Sequence, residues 1–356
     1  MRLAKSSRQQ LPVLFDYAPE PEFKPDTSTL LPLDEYYRVI FLLSGKDSVF
    51  AMMRMLERGV DPAKAEIWHH PVDGKPLHLG GSRGLFDWPV STSYVAAAGA
   101  ALGIPVRYQW REGGLEREML RENEYTQPCS YQLEDYSIKT SGGLRGELLT
   151  RQSFPQAAAI TQGRYCSPVV KIGVAGVAIC GDPRFSDKNI LLITGERRQE
   201  SPNRSKYATI EKHRTTTLQR RADHHRPILE EDEAAVWDCL RYYRIHPHPC
   251  YFINYSRASC MGCVFCGYDE WSTVRALDPE RFNKIAAYEV KFGRTIKQGM
   301  SVIEQADRGR SFIREGDEPM CQLVMSDTFP ADRFIIPAGE PWVLPRGAFR
   351  HGAGPS

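Results

Sequence analysis

Between Arg38 and Gly59 the chain changes period. The run "RVIFLL" gives way, through "SGKDS", to apolar residues at Val49, Met52, Met53 and Leu56, which share one face of a helix. An extended apolar run that feeds a helix through a short joint of small and charged residues opens a β-α-β unit. The spacing predicts a strand over 38–43, a helix over 47–58 stopped by Gly59, and a second strand over 65–69. A helix over 93–102, stopped by Gly103, and the strand in "IPVRYQW" continue the alternation. That order calls for a parallel sheet with helices on both faces, so the expected fold class is α/β.

With 356 residues, 42% hydrophobic and 25% charged, the chain can bury the core of one large domain, or of one domain with an elaboration. No stretch approaches the about eighteen consecutive apolar residues of a membrane span. The start, "MRLAKSSRQQLPVLFDY", interrupts its apolar residues with charge and glutamine, so a cytoplasmic address with no membrane partner is expected. Nine cysteines without an export signal read as thiols or metal ligands rather than a disulfide frame. A formal charge of +2 does not demand a polyanionic partner.

The expected organisation is an N-terminal extension over 1–35, rich in proline, an α/β domain over 36–228, a helical region over 229–320 and a tail over 321–356. Residues 111–163 offer only one firm element, a helix over 115–123. A buried strand is expected over 189–194. A helix from Glu230 has acids in its first turn and Arg241 and Arg244 in its last, and "HPHPCY" ends it. Another runs from the N-cap Asp278 through Pro279 to Gly293.

Three segments carry candidate chemistry. In the first, Ser44, Gly45, Lys46, Asp47 and Ser48 lie between a strand end and a helix N-terminus, where free backbone N–H groups, the helix dipole, a lysine and two hydroxyls suit an anion. The segment is not a Walker loop, since Ile40 stands where the first glycine belongs and Asp47 follows the lysine. In the second, "LLITGERRQESPNRSK", Gly195, Arg197, Glu200, Ser201 and Arg204 follow a buried strand, and the segment reads either as guanidinium forks for phosphate or sulfate or as a solvated loop. In the third, "SCMGCVFCG", Cys260, Cys263 and Cys266 have the compact spacing that collects an iron–sulfur cluster, whereas zinc takes separated pairs. The arginines and lysines of 197–226, with His213, His224 and His225, either contact a nucleic-acid backbone, line a triphosphate pocket or form a solvated connector.

"SGKDS" resembles the Ser-Gly-Gly-Lys-Asp-Ser loop of the PP-loop family of ATP pyrophosphatases and adenine nucleotide alpha hydrolases, with one glycine absent. "GERRQESPNR" resembles the Gly-x-Arg-x-x-Glu-Ser-x-x-Arg stretch of the phosphoadenosine phosphosulfate reductase family within that superfamily. "FDWPVSTSYVAAAGAALGIPV", "REGGLEREMLREN", "GRYCSPVVKI" and "HPHPCYFINYSRASCMGCVFC" are similar, in order, to segments of its phage- and prophage-encoded members. The resemblance implies a Rossmann-like (HUP-type) domain that binds ATP or an adenylyl sulfate, with a helical elaboration that carries the cysteines. It implies that Lys46, Arg197 and Arg204 neutralise phosphates, that Asp47 holds Mg²⁺ or orients the loop, and that Cys166 completes a 4Fe-4S site with Cys260, Cys263 and Cys266. If Cys266 is not a ligand, Cys250 or Cys180 would substitute, or the site would keep an open iron coordination position. Cys129, Cys239 and Cys321 read as bystanders.

Relatives in DNA phosphorothioation and tRNA thiolation imply sulfur transfer to nucleic acid, with a sulfur- or electron-donor protein as partner. Sulfonucleotide reduction is the alternative, although the Glu-Cys-Gly-Leu-His motif of assimilatory reductases is absent and Cys321, in "EPMCQLV", does not match it. A third reading is a non-catalytic nucleotide- or nucleic-acid-binding protein with a structural zinc.

Overall fold

The computed structural model describes residues 30–143, 146–157 and 164–350; most of the expected N-terminal extension and the last residues of the tail lie outside them. Eight strands form one sheet: β1 (Arg38–Leu42), β2 (Ala65–His69), β3 (Val106–Arg111), β4 (Cys129–Gln132), β5 (Ile138–Ser141), β6 (Asn189–Ile193), β7 (Ile210–Lys212) and β8 (Arg221–His225), in the order β5-β4-β3-β2-β1-β6-β8-β7. The central five, β3-β2-β1-β6-β8, are parallel. Antiparallel strands finish both edges, β4 and β5 on one side and β7 on the other. Neither hairpin was anticipated from the sequence.

The helices are α1 (Lys46–Glu57), α2 (Ser91–Leu102), α3 (Gly114–Met119), α4 (Gly173–Gly181), α5 (Glu233–Tyr242), α6 (Tyr268–Leu277), α7 (Pro279–Phe292), α8 (Val302–Arg308) and α9 (Glu318–Val324). Strand alternation sorts the core onto two faces. Val39, Phe41, Leu191 and Ile193 face a large core with α1, α2 and α5, while Ile40, Ile190 and Leu192 face α4 through Ala178 and Ile179. Full burial of each such apolar side chain contributes roughly 1.5–3 kcal/mol. The expected caps of α7 are present: Asp278 accepts from Arg281 N at 3.0 Å, and Gly293 ends the helix at φ +60°.

Trp271, Val274, Phe282, Ile285 and Val302 of the later helices join the larger core, so the C-terminal region is fused to the sheet layer. The proline- and glycine-rich end also contributes. Phe329, Phe334 and Ile336 are buried, and Trp342 Nε1 donates to Ile245 O at 2.8 Å.

The chain order places the crevice. From β1 it steps outward to β2 and β3, then returns to β6 on the other side of β1. The loops leaving the carboxyl ends of β1 and β6 therefore part, which is where open α/β sheets bind ligands.

Candidate functional site

Side chains bridge the loops after β1 and β6 across this switch point. Arg197 Nε donates to Asp47 Oδ1 at 2.7 Å, and Arg197 Nη1 donates to Gln199 Oε1 at 2.8 Å. Burial alone would raise the Asp47 pKa, but the charges and hydrogen bonds of Lys46 and Arg197 outweigh it and hold the carboxyl below its ordinary range. Gly195 makes the approach possible, since a Cβ there would stand 2.5 Å from the Asp47 carbonyl carbon and oxygen and 2.6 Å from Ser48 N. Two segments singled out separately in the sequence thus form one structure.

Lys46 is buried at the start of α1. Its Nζ lies 3.3 Å from Asp47 Oδ2 and 3.6 Å from Glu233 Oε1 on α5, and faces the Trp237 and Tyr251 rings at 5.7 and 5.6 Å. Glu233, Trp237 and Tyr251 were not singled out by sequence; the acidic first turn of α5 was read only as a dipole partner. Ser48 Oγ accepts from Ser44 N at 2.9 Å and Gly45 N at 3.0 Å, so it braces the loop from within rather than facing outward as a ligand donor. Ser44 itself is exposed.

Glu200 and Arg204 form an ion pair, and Glu200 Oε2 also accepts from Arg197 N at 2.8 Å. Ser201 Oγ accepts from Arg204 N at 3.3 Å. Asp47 and Glu200 therefore orient the two arginines. Most of the basic segment is likewise engaged in the fold: Arg198 with Glu230, Arg220 with Thr215 O and Ile179 O, Arg226 with Glu211 and Ala208 O. His224 pairs with Thr194 Oγ1 at 2.7 Å and His225 with Thr209 O at 3.2 Å, on β8 rather than in a loop. Lys206 and Lys212 remain exposed.

The end of β2 adds a group that the sequence reading missed. His69 Nδ1 lies 3.0 Å from Leu43 O, and a carbonyl only accepts, so Nδ1 carries the proton and Nε2 a lone pair. That Nε2 is buried without a hydrogen-bond partner among the described residues, as is His70 Nε2. The doublet "HH" at a strand end was the available signal.

The cysteine turn packs on the phosphate loop. Tyr251 Oη accepts from Lys46 N at 3.4 Å and from Ala258 N at 3.2 Å, and Ala258 stands two residues before Cys260. Burial pushes the Cys260 thiol well up in pKa; Lys171 opposes it, while Cys263, Asp87 and Cys166 add to it. Burial also raises Cys166, with Cys263 adding and Lys171 opposing, so the distant segments share one neighbourhood. Cys266 is raised by burial, then by Cys263 and Glu270. Among the described residues no group of three or more His, Cys, Asp or Glu side chains is drawn close enough to hold a metal ion. In kind, these soft thiols fit a thiolate-bound centre; bonding distance would require the turn to tighten and the thiols to lose their protons. Of the substitutes, Cys250 is buried beside the Lys46 charge, whereas Cys180 is exposed on α4 against Arg220. Cys129 on β4 and Cys239 on α5 are buried, and Cys321 lies on α9.

Residues 159–266 match the phosphoadenosine phosphosulfate reductase domain. The match takes in Cys166, β6, the loop from Gly195 to Arg204 and the turn through Cys266; it does not reach back to the β1 loop. It supports that family, which suggests an enzyme of the PP-loop superfamily and adenine nucleotide binding. No curated protein matches the chain. Among the described residues no helix is long and apolar enough to cross a membrane.

Proposed function

We propose that this chain is a PP-loop enzyme that binds ATP or an adenylyl sulfate across the ends of β1 and β6 and performs sulfur chemistry, transferring sulfur to nucleic acid. The observation that carries the reading is the junction of the two loops through Asp47 and Arg197, with the cysteine turn packed against Gly45 through Ala258. Lys46 belongs to the loop, Arg197 is tied to it through Asp47, and Arg204 pairs with Glu200, which also accepts from Arg197 N. Preorganised cations of this kind stabilise charge that develops on a phosphoryl group without reorganising during reaction. In the adenylating reading, a substrate oxygen attacks the α-phosphorus of ATP and pyrophosphate leaves. Asp47, with both oxygens engaged, serves as the orienter of Lys46 and Arg197, and a bound Mg²⁺ would share it. Cys166, Cys260, Cys263 and Cys266 would hold an iron–sulfur cluster, which supplies electrons or sulfur when bound.

Transfer is favoured over sulfonucleotide reduction because the only cysteine of the C-terminal forty residues, Cys321, lies on α9 in "EPMCQLV". The test is incubation of anaerobically purified protein with ATP and, separately, with an adenylyl sulfate, followed by product analysis. Pyrophosphate and AMP from ATP support adenylation; sulfite from the sulfonucleotide supports the reductase. Iron and acid-labile sulfide in the sample argue against the non-catalytic zinc-bearing reading, and zinc without turnover would favour it.

A further inference from the structure

We propose that Tyr251 is a positioning residue through which occupation of the phosphate loop is felt by the cysteine turn. This rests on the nucleotide reading above. The phenol oxygen stands where three segments meet: it accepts from Lys46 N at 3.4 Å and from Ala258 N at 3.2 Å, and a Cβ on Gly45 would lie 3.3 Å from it and 3.3 Å from Ala258 Cβ. The ring is fixed edge-on against Trp237, with centroids 5.3 Å apart, and the residue is 1% exposed. A tyrosine hydroxyl has two lone pairs and one proton. Both lone pairs receive N–H groups, and the O–H has no acceptor among the described residues. Burial pushes the phenol pKa well up, so the proton stays. The unspent donor sits beside Lys46 N and Gly45, on the inner side of a loop suited to an anion.

A phosphate oxygen seated on the loop accepts this O–H and draws on Lys46 N. Either change alters the hold of the hydroxyl on Ala258, and hence the start of the cysteine turn. Linkage makes the effect reciprocal, so a change at the turn alters affinity at the loop by the same factor.

The experiment is hydrogen exchange by mass spectrometry on the full chain, with and without ATP or inorganic pyrophosphate, alongside calorimetric titration. In the wild type, ligand is expected to slow exchange both in 43–57 and in 250–266. In Tyr251→Phe the response of 43–57 persists, that of 250–266 is lost, and affinity falls roughly tenfold or more, as for one hydrogen bond to a charged acceptor. Gly45→Ala, which keeps the hydroxyl but wedges loop and turn apart, is expected to weaken the same response. An unchanged 250–266 response in both variants overturns the proposal while leaving nucleotide binding intact. Failure of wild-type protein to bind ATP, pyrophosphate or an adenylyl sulfate overturns the nucleotide reading, and the coupling with it.

Discussion

Arg197 reaches from the β6 loop to Asp47 on the first turn of α1, Nε to Oδ1 at 2.7 Å, and so ties together the two loops that flank the crevice. Its second arm holds Gln199, whose Oε1 also accepts from Glu233 N at 3.1 Å, so the guanidinium is linked to α5 through that amide. A lysine has the charge but not the fork. Arg197→Lys is expected to lose most of the nucleotide affinity that Arg197→Ala loses, about 1.5–3 kcal/mol as read by titration calorimetry. Full affinity in the lysine variant would show that charge alone matters here.

Lys46 makes a separate contribution, because its ammonium is close to two carboxylates and two aromatic faces before any ligand arrives. Lys46→Met keeps the stem and removes the charge. The expected outcome is a loss of about 1.5–3 kcal/mol in ATP binding. Native-like circular dichroism with unchanged ATP affinity would remove Lys46 from the site.

Gly195→Ala tests the close approach itself. The added methyl would meet the Asp47 carbonyl at 2.5 Å, contact that backbone cannot relieve without moving β6 from α1. Overpacking of this kind costs about 1–3 kcal/mol. The urea midpoint should fall, and nucleotide affinity should fall with it. A variant as stable as wild type would mean that the two loops separate freely.

The β-α-β opening was readable because strand and helix periods change sharply at Ser44, and both candidate loops could be found because each follows an apolar strand. The sequence could not show that Gly195 lies on Asp47. That contact depends on the strand order β2-β1-β6, a long-range property that no local period encodes. β4, β5, β7 and β8 were missed for a related reason. Their residues, such as Glu211, Lys212, Arg221 and His224, are largely polar: β5 and β7 are edge strands held by pairing and ion pairs, and the short β4 and β8 add Tyr131 and Ala222 to the core beside α4 without an apolar stripe. Glu233 was hidden because a carboxylate in the first turn of a helix is explained by the helix dipole alone, and Tyr251 because its partner, Lys46 N, lies 205 residues away in the chain.

Buried histidines contribute to the acid side of the stability profile. His248 accepts from Cys250 N at Nδ1 and pairs with Ser91 Oγ through Nε2 at 3.1 Å, so the neutral ring is built into the fold. Burial, then the neighbouring His246 and His69, depress its pKa to about 3, and His70 is depressed to about 3 by burial, His69 and Lys171. The folded state therefore binds fewer protons than the unfolded chain between these values and the ordinary 6.5. The stability they contribute is complete above about pH 6.5 and is lost as pH falls toward 3. In urea titrations from pH 7.5 to 5, His248→Gln should be less stable than wild type at pH 7.5 and show a shallower decline. Parallel declines would place the acid sensitivity elsewhere.

The cysteines divide the functional readings. Cys260, Cys263 and Cys266 lie on one turn, and Cys166 enters their electrostatic neighbourhood from the segment before α4. Serine is close to cysteine in shape but offers a hard oxygen to a soft iron site. Cys166→Ser, Cys260→Ser and Cys263→Ser are each expected to lose visible absorbance, iron and acid-labile sulfide in anaerobic preparations. ATP binding should persist in all three, with its affinity altered only as far as the turn is coupled to the loop through Tyr251, because Lys46 and Arg197 stand on other elements. Cys180→Ser, exposed beside Arg220, and Cys321→Ser, on α9, serve as controls and should retain full iron. If Cys266→Ser also keeps its iron, Cys250, buried near Lys46, becomes the substitute to test next. Iron content unaffected by serine at Cys166 would separate that segment from the cluster. Loss of the cluster with product formation intact would make it a brace for the turn that packs on Gly45, and would leave the chemistry to the phosphate loop.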